Sequence, residues 1–273
     1  SNMRVHGNEM ASRLYDELLI SHPAGSTHSA LGIVVCGADA VIESFVRIKS
    51  RAADKLGIAM VRTDVPEGAS TEDVIAAVRQ LVENTNGIIV QLPLPSHIDT
   101  NAVLSAIPAS HDVDGINPTV DEQERLVRAP VAGAVAFILA QNSIAVAGSH
   151  AVVVGAGRLV GAPVAHLLES LGAQVRVVTL ESGSLDELRT ADVVVLGAGN
   201  PAFVKPDMVR EGVVLIDAGT SEAGGKVIGD ADVACEAKAA LFTPVPGGVG
   251  PIAVAMIFKN LFALAELQKD KTR

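Results

Sequence analysis

The residues whose type and spacing suit chemistry are a lysine, a glutamine, two aspartates and a set of glycine-rich turns. Lys49 lies in SFVRIK, within the run ADAVIESFVRIKSRAADKLGI. At about 100° per residue Val41, Ile42, Phe45, Val46, Ile48, Ala52, Ala53 and Leu56 share one arc of a helix. Lys49 falls near the middle of that apolar arc, so its ammonium either snorkels to the rim of a buried face or ends in a cleft that uses it. Gln91 and Pro93 stand in GIIVQLPLP, just past the carboxyl end of an aliphatic strand, the edge at which open α/β sheets take ligands. HDVDGINP offers Asp112 and Asp114 in a glycine-bearing turn, where the residues alone read as turn-capping carboxylates. AVVVGAGRLVGAP sets Gly155, Gly157 and Gly161 between a buried strand and a helix, with Arg158, Leu159 and Val160 completing the turn. Glycines there let backbone amides approach a pyrophosphate at a helix N-terminus, although the third comes one position later than in G-x-G-x-x-G. Without a ligand the same segment is a tight β-α turn. Glu181 follows the next strand, where a carboxylate bonds an adenosine ribose diol and repels a 2′-phosphate, or else is a solvated loop residue. TPVPGGVGP holds three prolines and three glycines in nine residues, among them Pro246, Gly247 and Gly248. It reads either as a connector or as a loop shaped around a ligand.

Alternating elements must hold these groups. The pattern predicts helices over 8–20, around Lys49 and over 71–84, with strands LGIVVC (31–36), IAMVR (58–62) and GIIVQLPLP between and after them. The strands are near-continuous aliphatic runs, as in a parallel sheet covered on both faces. A helix is expected over 133–144, and a second βαβ series runs through HAVVVGAG, AQVRVVTLE, DVVVLGAG and GVVLIDAG. The last amphipathic helix, 252–267, is expected to pack back on the first part. The fold class is therefore α/β, in two domains, the second Rossmann-like and inserted before the final helix.

Composition narrows the function. The 273 residues carry a net charge of -10 and no basic cluster, which argues against nucleic acid as a partner. No apolar run is expected to reach the roughly 18 to 20 residues of a membrane span, so a cytoplasmic protein without a membrane partner is the expectation. Cys36 and Cys235 are isolated, without metal-ligand spacing, and read as core thiols of a reducing compartment; no metal is expected. Ser1 and Asn2, ahead of Met3, read as the remnant of a cleaved tag.

The order of the pieces adds a resemblance. A lysine-bearing helix after the first strand is followed by VQLPLP, DVDG, a G-x-G-x-x-x-G-x-P turn, IDAG, GD and PVPGGVGP. This series resembles the bifunctional methylenetetrahydrofolate dehydrogenase/methenyltetrahydrofolate cyclohydrolase (FolD) family over nearly the whole chain. The resemblance implies a folate-binding catalytic domain (1–138 and 251–273), a Rossmann-like domain for NADP or NAD (139–250), and a cleft between them for both ligands. It implies a homodimer acting on tetrahydrofolate derivatives. By position, Lys49 matches the family's catalytic lysine, Gln91 the glutamine that bonds it, and Asp114 the aspartate that holds the pterin. Phe45, Pro93, Pro246, Gly247 and Gly248 match substrate-binding positions, and Gly155, Gly157, Arg158, Leu159, Val160, Gly161 and Glu181 cofactor-binding ones.

Several hydroxyls of the family are missing. Phe45 replaces the usual tyrosine, Ile42 a serine, Pro130 and Val131 a threonine-proline step, Ala253 a threonine and Gly157 a serine. Phe45 keeps a stacking surface but lacks a hydrogen-bonding handle. Glu181 in place of basic or hydroxyl residues leans the cofactor toward NAD. These departures leave two other readings: a paralogue with reduced catalysis that binds folate or nucleotide, and an unrelated Rossmann oxidoreductase.

Overall fold

The computed structural model describes residues 2–26 and 28–271. Its elements, in chain order, are β1 (Met3–Arg4), α1 (Gly7–Ser21), β2 (Ala30–Cys36), α2 (Ala40–Leu56), β3 (Ala59–Val65), α3 (Thr71–Val82), β4 (Gly87–Val90) and α4 (Thr100–Ser105). They continue with α5 (Pro130–Gln141), β5 (His150–Val154), α6 (Gly161–Ser170), β6 (Gln174–Val178), β7 (Val193–Leu196), β8 (Val214–Asp217), β9 (Ser221–Ala223), β10 (Lys226–Ile228), β11 (Leu241–Phe242) and α7 (Val249–Lys271). Two compact units result: Leu14–Pro130 with Val254–Arg273, and Ser1–Arg13 with Val131–Ala253.

The first of these is built on a three-stranded parallel sheet ordered β3-β2-β4. Every residue of β2 and β4 is buried, which is why ALGIVVC and GIIV carry no polar side chain. The edge strand β3 runs three residues past the expected 58–62, through Thr63 and Asp64 to Val65, because an edge tolerates polar residues that a central strand does not. Conversely, β4 stops at Val90: Pro93 and Pro95 cannot donate to a ladder, so the expected strand through QLPLP ends early.

Helix α2 starts where Asp39 accepts the Ile42 amide at 2.8 Å and stops at Gly57, whose φ of 68° suits the left-handed cap. Helix α7 adds Phe258, Leu261 and Leu264, all fully buried. It is stapled to this unit's loops by Asn260 Nδ2, which donates to Val113 O at 2.9 Å and Arg128 O at 2.8 Å, and by Gln268 Nε2 donating to Asn86 O at 2.9 Å. The last helix thus packs on the first domain as expected. The expectation about apolar runs is amended here: α7 is, by length and composition, the one helix among the described residues apolar enough to cross a membrane. Its apolar faces are spent on the protein core, with 61% of its most apolar stretch buried.

The second unit holds a six-stranded parallel sheet, β1-β11-β8-β7-β5-β6, and the antiparallel hairpin β9–β10. The short strands β1 and β11 pair through Met3 with Leu241 and Arg4 with Phe242, which places the first residues of the chain in this sheet. Strands β5, β7 and β8 are almost wholly buried, and β6 is an edge. Strand order reverses between β5 and β7, the switch point at which doubly wound sheets bind ligands. Helix α5 begins at Pro130, three residues before the expected 133, since proline suits the first helical position.

Candidate active site

Lys49 Nζ donates to Gln91 Oε1 at 2.6 Å. Gln91 is 6% exposed and is itself fixed: its amide nitrogen donates to Leu92 O at 3.0 Å, and its backbone N–H donates to Val34 O at 2.9 Å. The first hand-off turns the carboxamide oxygen toward the lysine. Burial drives the Lys49 ammonium below the usual lysine range, and the charge of Asp114 opposes that shift without cancelling it. Asp114 is pushed up to about 6, chiefly by burial, with Lys49 lowering it and Asp112 raising it. Its carboxylate takes no hydrogen bond from the described residues. The two aspartates of DVDG therefore part ways: Asp112 accepts the amides of Ile116 and Asn117, each at 2.9 Å, while Asp114 is left for something else.

The apolar arc of α2 is not uniformly buried. Ile42, Val46, Ala52, Ala53 and Leu56 face the core, whereas Val41, Phe45 and Ile48 are 41–44% exposed on one flank. Positions 41, 45 and 48 lie one turn apart, so they form a continuous apolar strip on the helix that carries Lys49. Phe45 sits on that strip, one turn before the lysine. Ile42 is 4% exposed and packs in the core. The only tyrosine of the sequence, Tyr15, lies with its ring 5.0 Å from a different ammonium, Lys55 Nζ. Pro93 is exposed and follows a cis peptide bond.

In the other unit, the β5–α6 turn stands at the switch point. A Cβ on Gly155, whose φ is 112°, would lie 2.7 Å from Gly197 O, and one on Gly161 would collide with Gly155 O. At Gly157, by contrast, nothing lies within 4 Å of where a Cβ would be. Two glycines permit the tight turn and the third leaves open space before α6, a cradle that fits the phosphates of a dinucleotide. Arg158 and Leu159 are exposed on this turn and Val160 precedes the first helical residue. After β6 the chain makes a closed loop: Thr179 N–H donates to Ser182 O at 2.8 Å and Ser182 N–H donates to Thr179 Oγ1 at 2.9 Å. Leu180 and Glu181 form its exposed tip.

Pro246, Gly247 and Gly248 belong to this same unit by contact, apart from Lys49, Gln91 and Asp114. The Gly7 amide donates to Gly247 O at 2.8 Å, and a side chain on Gly7 would strike Gly248 O, so the backbones cross at three glycines.

A pair of buried carboxylates escaped the sequence reading. Asp217, at the end of β8, accepts the amides of Gly219, Asp230 and Ala231 at 3.0, 3.1 and 2.9 Å. Asp230 accepts those of Ala198 and Asn200 at 2.7 and 3.0 Å, and so shapes the turn after β7. Burial, then the Asp230 charge, pushes Asp217 up to about 6. The signal was present as IDAG and GD, each with a glycine that a Cβ would drive into the opposite aspartate.

Residues 5–114 match the family model for the tetrahydrofolate dehydrogenase/cyclohydrolase catalytic domain, and residues 129–269 match the model for that family's NAD(P)-binding domain. The bifunctional protein FolD of Methanoculleus marisnigri is 40% identical, with 97% of each chain covered, and that of Methanospirillum hungatei is 37% identical over 96% of this chain and 97% of its own. Among solved structures, the bifunctional enzyme FolD from Campylobacter jejuni superposes with a TM-score of 0.91 at 30% identity, covering 98% of this chain and 100% of its own. The Trypanosoma brucei enzyme, solved with NADP and an inhibitor, gives 0.90 at 30% identity over 98% of each chain. Two matched domains in sequence and relatives aligned almost end to end leave one conclusion: the chain belongs to the tetrahydrofolate dehydrogenase/cyclohydrolase family.

Proposed function

We infer that the chain oxidises 5,10-methylenetetrahydrofolate to the 5,10-methenyl form with a nicotinamide dinucleotide, and hydrolyses the methenyl form to 10-formyltetrahydrofolate. The observation that carries this reading is the 2.6 Å hydrogen bond from Lys49 to Gln91 beside the unpartnered carboxyl of Asp114. A paralogue without catalysis has no physical reason to keep a lysine desolvated against a buried glutamine, so that reading is set aside.

On this reading the folate belongs to the domain of 1–138 and 251–273 and the cofactor to 139–250, in a cytoplasmic homodimer. Asp114 holds the pterin, Phe45 stacks on the aminobenzoyl ring, and Pro93, Pro246, Gly247 and Gly248 line the substrate. Gly155, Gly157, Arg158, Leu159, Val160 and Gly161 cradle the dinucleotide, and Glu181 favours NAD. The nicotinamide, when bound, supplies the hydride acceptor. The chain contributes placement to that step, and proximity carries most of it.

Hydrolysis asks more of side chains. Water adds to the methenyl carbon and loses a proton to give the neutral carbinol; the carbinol hydroxyl then loses its proton while N5 takes one up as the bond from carbon to N5 breaks, which gives the 10-formyl product with net release of one proton. Lys49, its pKa lowered by burial, gives up its proton more readily than an ordinary lysine, and Gln91 keeps Nζ aimed while it does so. The test is an absorbance assay at the methenyl-folate band, with methylene substrate and either NAD or NADP, then methenyl substrate alone. No band with either cofactor and methenyl decay equal to the buffer blank would overturn the function.

Two expectations follow from particular side chains. Asp114 loses its proton at about 6 rather than 3.8, and it accepts the pterin N–H groups only when ionised. KM for methylenetetrahydrofolate should therefore fall as pH rises through about 6; a KM unchanged down to about pH 5 would remove Asp114 from folate binding. Phe45→Tyr restores a hydroxyl one turn from Lys49 and should raise methenyl hydrolysis about fivefold, the worth of one hydrogen bond, with hydride transfer little changed. An unaltered hydrolysis rate would mean that the missing hydroxyl is not what limits this step.

A further inference from the structure

Asp114 sits in a turn braced by groups to which nothing so far assigns a role in the reaction. Asp112 is 4% exposed, and its carboxylate closes the turn from inside by accepting the amides of Ile116 and Asn117. Its backbone bridges to Ile88 of β4, the strand that leads to Gln91. Arg125 lies against it, Nη1 being 3.8 Å from Asp112 Oδ2 and donating to Asn117 O at 3.0 Å. Glu122 holds the other side of that guanidinium, 3.2 Å from Nε. Asn117 anchors the far end of the turn by donating to Ile107 O at 2.8 Å. Gly115 crosses the middle at a φ of 55°, where a Cβ would press on Val127 O and Ala129 N.

This is more bracing than a surface turn needs. A five-residue bend held by one buried carboxylate, one guanidinium 12% exposed and one anchored amide has a single orientation, and its unbonded side chain is Asp114. We propose that Asp112 and Arg125 are positioning residues for Asp114, their ion pair fixing the direction in which its carboxyl meets the pterin and the field in which it does so. This rests on the reading of Asp114 as the pterin-holding residue. The charged groups acting on Asp114 are Lys49 from α2 and Asp112 from its own turn; those acting on Asp112 are Arg125 and Glu122. Arg125 therefore reaches Asp114 through Asp112. With Arg125 in place the negative field of Asp112 is partly neutralised, which keeps Asp114 ionisable at neutral pH.

The proposal makes a prediction of sign that a merely structural brace does not. Arg125→Gln exposes Asp114 to the full charge of Asp112, so the acidic limb of the folate KM profile should move up by about one pH unit. Asp112→Asn removes that charge while keeping an amide-accepting oxygen, so the limb should move down by a similar amount. KM should rise about tenfold in Arg125→Gln at neutral pH with kcat changing less, and Arg125→Lys should recover most of the loss. Asp114→Asn, run alongside, tests the underlying reading. If Asp114→Asn leaves KM and its pH dependence untouched, the pterin role falls and the proposal with it. Should Asp114→Asn respond while Arg125→Gln and Asp112→Asn shift the limb in one direction or not at all, only the positioning role is overturned. If Asp112→Asn does not fold, the direction of the Arg125→Gln shift and its rescue by lysine decide the question alone.

Discussion

Lys49→Met is expected to cut methenyl hydrolysis about 10³-fold while hydride transfer falls about tenfold or less, in the range that loss of a general acid–base commonly costs. Methionine keeps the length and apolar stem of the lysine, and the core face of α2 does not include position 49, so Ile42, Val46, Ala53 and Leu56 stay packed. What disappears is the one amine held against Gln91 at 2.6 Å. Gln91 is then left with a buried oxygen lacking its partner, a cost of about 1 to 3 kcal/mol in stability. Because that cost alone could lower both activities equally, the two must be measured on one preparation. The split between them carries the meaning, since hydrolysis needs proton transfer and hydride transfer needs mainly placement. Hydrolysis within about tenfold of the parent would remove Lys49 from the proton chemistry.

Gln91 shows why the sequence reveals some of this site and not the rest. Its place past a buried strand is legible because aliphatic strands and the prolines after them are local signals, and the edge they mark binds ligands in open sheets. Lys49 is legible as an anomaly on an apolar arc. The division of that arc into a core side and an exposed flank of Val41, Phe45 and Ile48 is not, because helical periodicity records which residues are apolar and not what covers them. The four longer strands of the six-stranded sheet, β5 to β8, read clearly for the same local reasons. The two-residue strands β1 and β11 do not, because their pairing of Met3 with Leu241 is a long-range contact with no periodic trace. Asp112 and Asp114 are the sharpest case. Two residues apart and identical in type, they differ only in which accepts backbone amides, and that depends on the path of a turn closed by Arg125 and anchored by Asn117. Asp217 and Asp230 escape for a related reason: each serves amides contributed by separate loops.

Glu181→Ser is expected to shift the ratio of kcat/KM for NAD over NADP by about 10²-fold toward NADP. The reasoning begins with the loop rather than the charge. Thr179 and Ser182 close it through one backbone hydrogen bond, one from the Ser182 amide to Thr179 Oγ1 and a 2.6 Å contact between their hydroxyls, so the tip holding Leu180 and Glu181 has a fixed direction. A carboxylate fixed there can accept both hydroxyls of an adenosine ribose, and it faces a 2′-phosphate with charge against charge. Serine removes the repulsion, keeps a donor for phosphate, and leaves the clasp itself unaltered, because neither hydrogen bond uses the Glu181 side chain. Glu181 is exposed, so solvent and salt weaken the repulsion; the shift should therefore shrink as ionic strength rises. That salt dependence separates an electrostatic gate from a loop that has merely changed shape, since a shape change would alter the NAD reaction as well and would not respond to salt. If the parent already uses NADP as well as NAD, or if Glu181→Ser changes both cofactors alike, selection of the cofactor lies elsewhere in the turn between Gly157 and Gly161.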